Sequence, residues 1–399
     1  MQNKPELLAP AGTLEKLKWA AEFGADAVYF GAGYSLRSFA GNFDLPQVEE
    51  GINYLHQRGK KGYITLNIYP FTDEYQDICK LARKIDEMGA DAFIVADIGV
   101  FFALKELGLK AGLHISTQAN TMSAQTALAY ASLGASRVNL ARELSFQQIA
   151  ELQKNVGRKI ETEVFVHGAV CFSYSGRCAI SDYLTGRRAN RGECTHPCRW
   201  KYELVEEQRP GQYHPVFEDE RGLYYFNSKD LALFRYIPKL AETGVNSFKI
   251  EGRMKSIHYI ASTVSLYRRI IDGEQISEQD CMTLLNRVKN RGYMEGFIKG
   301  SVDENDYRID ENGACGDATF VGNVLDEKIE NGSVFRVRNK IHAGETLEIL
   351  TPDGHISNIT LPTPLKTSWG GEVDFANNEE NIVIPEALEP FTIIRRVNS

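Results

Sequence analysis

Gly24-Ala-Asp-Ala-Val-Tyr-Phe-Gly31 and Gly89-Ala-Asp-Ala-Phe-Ile-Val-Ala-Asp97 are two copies of one unit, and their recurrence decides the fold. Each has a glycine suited to ending a helix, followed by a short apolar strand. Weaker copies are Gly134-Ala-Ser-Arg-Val-Asn-Leu140 and Gly244-Val-Asn-Ser-Phe-Lys-Ile-Glu251. A second unit alternates with the first. Gly59-Lys-Lys61 leads to Tyr63-Ile-Thr-Leu-Asn67, Gly108-Leu-Lys110 to Leu113-His-Ile-Ser116, and Gly157-Arg-Lys159 to Thr162-Glu-Val-Phe-Val166. With Glu6-Leu-Leu-Ala9 at the start, eight strands result.

Helical patterns fill the gaps between them. Thr13 can cap a helix bearing Leu14, Leu17 and Ala21, and Ser145 with Gln148 forms a capping-box pair before Ile149 and Leu152. Asp73 precedes Ile78, Ala82 and Ile85 at helical spacing. Alternating strands and helices imply a parallel sheet, and short uninterrupted apolar strands imply burial on both faces. Eight such units predict an α/β protein built on a closed (βα)8 TIM-type barrel, with an open doubly wound sheet as the alternative.

The regularity breaks once. Strand seven ends near Val166 and strand eight begins near Ser247, so residues 167–230 form an insertion too long for a plain connection. Within it, Trp200–Val205 and Gly222–Phe226 read as a hairpin, and Asp230 to Glu242 as the helix feeding strand eight. Residues 256–272 and 277–291 are expected as further helices. From about Phe320, short alternating runs punctuated by glycine predict a small C-terminal β-barrel. The expected division is a barrel domain over 1–300 carrying the insertion 167–230, a linker over 301–317, and the C-terminal domain over 318–399.

With 43% hydrophobic and 25% charged residues, the 399-residue chain reads as globular. Its apolar runs fall short of the roughly 18 residues of a membrane helix. No charged-then-apolar leader opens it, so the expected location is cytoplasmic and no membrane is expected as a partner. A net charge of -8 argues against a general nucleic-acid coat.

Of seven cysteines, Cys171, Cys178, Cys194 and Cys198 lie close together with spacing C-x6-C-x15-C-x3-C. In a reducing compartment such a group seldom forms disulfides. Iron–sulfur ligation, structural zinc and free thiols are the readings, and the wide first pair disfavours zinc. From Gly176 to Lys201 six basic residues stand against two acidic ones, a local charge of +4 in an acidic chain. That charge suits an anionic substrate, or a negatively charged metal–thiolate unit.

Barrel active sites occupy the C-terminal ends of the strands. Those ends supply Asn67, Asp97, Ser116, Gln118, Asn120, Arg142, Glu143, His167, Glu251 and Arg253, with Arg37 on the loop after strand two. His167, Glu143 and Glu251 are the candidate acid–base residues. Arg37, Asn67, Gln118, Arg142, Arg253 and Lys255 are the candidate substrate-binding residues. No Gly-x-Ser-x-Gly elbow, His-Glu-x-x-His helix or Walker loop is present, which counts against a serine or zinc hydrolase and a nucleotide motor.

Glu163-Val-Phe-Val-His-Gly-Ala-Val-Cys171 with Ser175-Gly-Arg-Cys178 resembles the signature of the U32 family, first described as collagenase-like peptidases. Glu6-Leu-Leu-Ala-Pro-Ala-Gly12, Asn227-Ser-Lys-Asp230 and Lys249-Ile-Glu-Gly-Arg-Met-Lys255 share the resemblance. So do Gln208-Arg-Pro-Gly-Gln-Tyr213, Phe217-Glu-Asp-Glu220, and Arg338-Asn-Lys340 with Gly344-Glu-Thr-Leu-Glu348. The chain is most similar to the branch that makes 5-hydroxyuridine at the tRNA wobble position in a prephenate-dependent way. That resemblance implies a tRNA-modifying hydroxylase, a 4Fe-4S cluster on Cys171, Cys178, Cys194 and Cys198, prephenate as a dicarboxylate co-substrate on Arg142, Arg253 and Lys255, and tRNA as partner. A metal-dependent U32 peptidase is the rival reading, and a cluster-bearing subunit of a hydroxylase assembly is the third. A homo-oligomer or a partner subunit is left open.

Overall fold

A computed structural model describes residues 4–35, 42–171, 173–175, 177–200, 204–205, 213–214, 217–219, 222–224, 227–302, 306–308, 315–327, 329 and 332–398. It divides into two compact units, one comprising Met1–Ala21, Ala25–Met254 and Arg291–Ala314, the other Glu22–Gly24, Lys255–Asn290 and Cys315–Ser399.

The first unit is a closed parallel barrel. Its strands are β1 (Glu6–Pro10), β2 (Ala27–Gly31), β3 (Lys61–Leu66), β4 (Ala92–Val95), β5 (Gly112–Ile115), β6 (Arg137–Asn139), β7 (Glu161–Ala169) and β8 (Ser247–Ile250). Each pairs in parallel with the next, and β8 pairs with both β7 and β1. The eight-strand expectation therefore holds, and closure excludes the open sheet.

Helices α1 (Leu14–Glu22), α2 (Leu45–His56), α3 (Tyr75–Glu87), α4 (Ile98–Glu106), α5 (Ala124–Leu133) and α6 (Phe146–Val156) fill the crossovers. The residues buried on α3 are Ile78, Ala82 and Ile85, the stripe its sequence spacing sets. Ser145 and Gln148 make the reciprocal capping box of α6. Gly134 ends α5 with φ 101°, the left-handed position that glycine fills without a Cβ penalty.

Strand β7 runs past the barrel layer as far as Ala169, and this reshapes the expected feeder helix. Residues Asp230–Ala232 are a strand antiparallel to that extension, with Ala232 opposite His167. A 3-10 turn and α8 (Ile237–Glu242), numbered after the insertion helix α7 (Ile180–Thr185), then lead into β8. The exposed backbone edge of the long β7 needs partners, and the buried Leu231 and Ala232 satisfy it by pairing rather than coiling. The expected hairpin between residues 200–205 and 222–226 is also replaced. Leu204–Val205 pairs with Tyr213–His214, and Gly222–Tyr224 with Phe217–Asp219.

In the second unit, α9 (Ile257–Ile271) and α10 (Glu278–Asn286) accompany an antiparallel eight-stranded sheet. Division by compactness thus assigns both helices to the C-terminal unit, whereas the sequence grouped them with the barrel. The small β-barrel takes the form of a half-barrel, because its sheet has two ends, Ile356–Thr360 and Glu372–Val373. Val321, Phe335, Val337, Leu347, Ile349, Ile382 and Ile394 form its core. Residues 257–267 of α9 are buried on every side, as expected of a helix apolar around most of its circumference. No helix among the described residues is long and apolar enough to cross a membrane.

Candidate active site at the barrel mouth

The C-terminal strand ends enclose a cavity of about 110 Å³. It is lined by Asn67 after β3, Ser116 to Gln118 after β5, Asn139 and Arg142 from β6, Phe165 of β7, and Lys249, Glu251 and Arg253 from β8 onward. Cys171 and Ser175 of the insertion reach the same cavity. Six expected residues therefore meet here: Asn67, Gln118, Arg142, Glu251, Arg253 and Cys171.

The floor is a buried charge network. Glu163 accepts from Lys249 Nζ at 2.7 Å and from Asn139 Nδ2 at 2.7 Å, and lies 3.4 Å from Arg137. Arg137 also pairs with Glu6 at 2.5 Å and Glu161 at 2.7 Å. Burial lowers the Lys249 pKa, while Glu163 opposes that shift. Burial pushes the Glu6 carboxyl up, but Arg137 outweighs it with help from Tyr63 and Ser247, leaving the pKa lowered.

The cations on the wall differ in how they are held. Arg253 donates from Nη1 to Ser35 Oγ at 2.6 Å and to Thr65 Oγ1 at 3.2 Å. The Arg142 guanidinium stacks 3.9 Å from the centre of the Phe165 ring, and its side chain has no hydrogen-bond or ion-pair partner among the described residues. Arg142 is therefore placed to receive an anion.

The other expected residues fall elsewhere. His167 is only 1% exposed and does not line the cavity. Its carbonyl accepts from Glu251 N at 2.8 Å, and its ring packs 5.6 Å from that of Tyr293. Gly168 beside it has φ 107°, and a Cβ there would stand 2.3 Å from Glu251 O. The His167–Gly168 backbone thus fixes Glu251. Glu143 is also off the lining; burial raises its pKa against the pull of Arg142. Asp97 caps α4 through Val100 N at 2.9 Å and accepts from Tyr75 Oη at 2.7 Å. Lys255 belongs to the second unit, where its Nζ donates to Lys289 O at 3.4 Å. Arg37 lies outside the described residues.

Among the described residues, no disulfide joins the four clustered cysteines. Cys178 precedes α7, and Cys198 sits in the turn Pro197–Arg199. Ser181 of α7 hydrogen-bonds Thr195 at 3.0 Å, and His196 N donates to Cys194 Sγ at 3.4 Å. All four cysteines carry the soft sulfur donor type that iron–sulfur clusters use. Among the described residues, no three His, Cys, Asp or Glu side chains are grouped so as to hold a metal ion. Part of the basic stretch is committed to docking the insertion, since Arg191 holds Glu74 through two bonds at 2.7 and 2.8 Å.

Comparison with known proteins decides the family. The model of peptidase family U32 matches residues 12–308, and that of the U32 C-terminal domain matches residues 317–395. The chain belongs to peptidase family U32. Among relatives, this U32 chain is 37% identical to the tRNA hydroxylation protein P of Escherichia coli (strain K12), over 90% of this chain and 88% of that protein. It is 34% identical to the tRNA hydroxylation protein P1 of Bacillus subtilis (strain 168), over 99% of this chain and 95% of that protein. It is 36% identical to the 23S rRNA 5-hydroxycytidine C2501 synthase of Escherichia coli (strain K12), over 68% of this chain and 40% of that protein.

Sequence reasoning about this U32 member missed Asn139, Lys249, Thr65 and Ser35. A lysine inside the buried strand Ser247-Phe-Lys-Ile250 was the available signal, because a charge there needs a partner. Asn139 ends a three-residue strand and gave no comparable sign.

Proposed function

We propose that this chain is an RNA-modifying enzyme that hydroxylates the wobble uridine of tRNA to 5-hydroxyuridine, in a prephenate-dependent reaction. The observation that carries the reading is one small cavity at the barrel mouth, lined by Arg142, Arg253, Glu251 and Cys171. Arg142 and Arg253 suit the carboxylates of a small dicarboxylate co-substrate. Glu251, fixed through its backbone, is a group on the wall able to move a proton. At about 110 Å³ the cavity is smaller than the roughly 150 Å³ that holds one benzene ring, so it takes at most the edge of a single base or the head of a co-substrate. A base must therefore be presented single-stranded or flipped, as an anticodon loop allows. Relatives named for tRNA hydroxylation and for rRNA hydroxycytidine synthesis support RNA as the substrate class. A tRNA substrate supports the cytoplasmic location expected from the sequence.

Cys171, Cys178, Cys194 and Cys198 are the residues that would hold a 4Fe-4S cluster. When bound, such a cluster supplies one-electron chemistry. Zinc is the alternative occupant, and metal and sulfide analysis of protein kept from air separates the two.

Mass spectrometry of tRNA nucleosides tests the function. A strain lacking this chain, and lacking any second copy of the gene, is expected to lose 5-hydroxyuridine derivatives. Unchanged levels refute the proposal. Gelatin cleavage by the pure protein, abolished by Cys171→Ser, would support the peptidase instead.

A further inference from the structure

Two buried polar atoms in the barrel-mouth cavity lack a partner, and they are of opposite kind. Asn139 is 2% exposed, and its Nδ2 donates to Glu163 Oε1 at 2.7 Å. Glu163 pairs with Lys249 as a carboxylate, so it can only accept, and this fixes the orientation of the Asn139 amide. Asn139 Oδ1 is left with no hydrogen-bond partner among the described residues. Gln118 is likewise 2% exposed, and its Oε1 accepts from Asn67 Nδ2 at 2.8 Å and from Ser116 Oγ at 3.2 Å. Its Nε2 has no partner among the described residues. Both residues line the same cavity. Their backbones are tied together, since Thr117 Oγ1 donates to Leu140 O at 3.2 Å and Ala141 N to Thr121 O at 3.0 Å.

Buried polar groups without partners are uncommon, and they mark places where a ligand completes the bonding. An unused donor and an unused acceptor on the lining of one cavity form the complement of a C=O adjacent to an N–H. A carboxylate offers only acceptors, so it would satisfy Gln118 and oppose Asn139 Oδ1. On the N3 and C4 side cytosine presents the wrong pattern, because its N3 accepts and its N4 donates where uracil has N3–H and O4. Uracil presents N3–H flanked by carbonyl oxygens.

We propose that Asn139 and Gln118 are the specificity-determining pair of this site. Asn139 Oδ1 accepts from N3–H of the bound uracil, and Gln118 Nε2 donates to its O4. This rests on the reading of the cavity as an RNA-modifying site.

The test uses the full chain, purified without air, and anticodon stem-loop RNAs with uridine, 3-methyluridine or cytidine at the wobble position. Fluorescence anisotropy measures binding. The unaltered protein is expected to bind the uridine loop about tenfold or more tightly than the other two, the scale of one paired base edge. Asn139→Ala is expected to bind the uridine and 3-methyluridine loops within about twofold of each other, with its melting transition retained. Gln118→Glu, which turns the donor into an acceptor, is expected to shift preference toward cytidine. Equal binding of the three loops by the unaltered protein overturns this inference and leaves the RNA-modification reading standing. So does discrimination that survives both substitutions. Failure to bind any loop overturns both.

Discussion

Glu163→Ala is the sharpest perturbation of the barrel. The Glu163, Lys249 and Arg137 side chains are only 3%, 4% and 4% exposed, and the carboxylate lies 2.7 Å from Lys249 Nζ. Removing it strands the Lys249 ammonium and the Asn139 amide without the acceptor both use. Breaking one side of a buried pair costs about 3–5 kcal/mol, because the surviving charge stays desolvated. For a unit of this size, roughly 2–4 °C of melting temperature is lost per kcal/mol, giving a fall of about 6–20 °C. Glu163→Gln with Lys249→Met removes both charges and leaves Arg137 its pairs with Glu6 and Glu161, so the double variant should be more stable than Glu163→Ala. Urea and thermal unfolding of the barrel transition measure both. A loss below about 1 kcal/mol for Glu163→Ala, or a double variant less stable than Glu163→Ala, refutes the reasoning.

Three further outcomes follow from the geometry. Burial, helped by Arg395, pushes the His258 pKa down to about 3 from its ordinary 6.5. The unfolded chain then takes up a proton the folded ring refuses, so the stabilisation is present above pH 6.5 and is lost as pH falls from 6.5 toward 3. Unfolding of the C-terminal unit should show a slope of up to about 1.4 kcal/mol per pH unit across that window, flattened by His258→Gln. Gly168→Ala adds a Cβ at 2.3 Å from Glu251 O in a left-handed backbone, and should cost about 1–3 kcal/mol while lowering tRNA hydroxylation. Arg142→Ala removes only a stacked guanidinium, so stability should change by less than about 1 kcal/mol. Prephenate binding, measured by calorimetry, should weaken about tenfold or more through the lost charge-assisted bond.

The barrel was legible because its information is local and periodic. Glycine-ended helices and buried apolar strands are written within a dozen residues each, and the caps at Thr13 and Ser145 form as their neighbours dictate. What was not legible depends on closure. The extension of β7 to Ala169 and the strand Asp230–Ala232 on it both involve partners distant in sequence. The site followed the same rule. Glu251 and Arg253 could be named from a strand end, but their support by Gly168, Ser35 and Thr65 comes from other strands. His167 looked like a free acid–base group because sequence does not show that its ring is buried beside Tyr293.

The account stands on the barrel mouth being where RNA is modified. The most direct measurement is 5-hydroxyuridine in tRNA from a strain lacking the chain, complemented with the unaltered gene, with Arg142→Ala or with Glu251→Gln. The account predicts that the unaltered gene restores the nucleoside and that both variants, folded and present at equal level, fail to do so. Full restoration by both would place the chemistry elsewhere and contradict it.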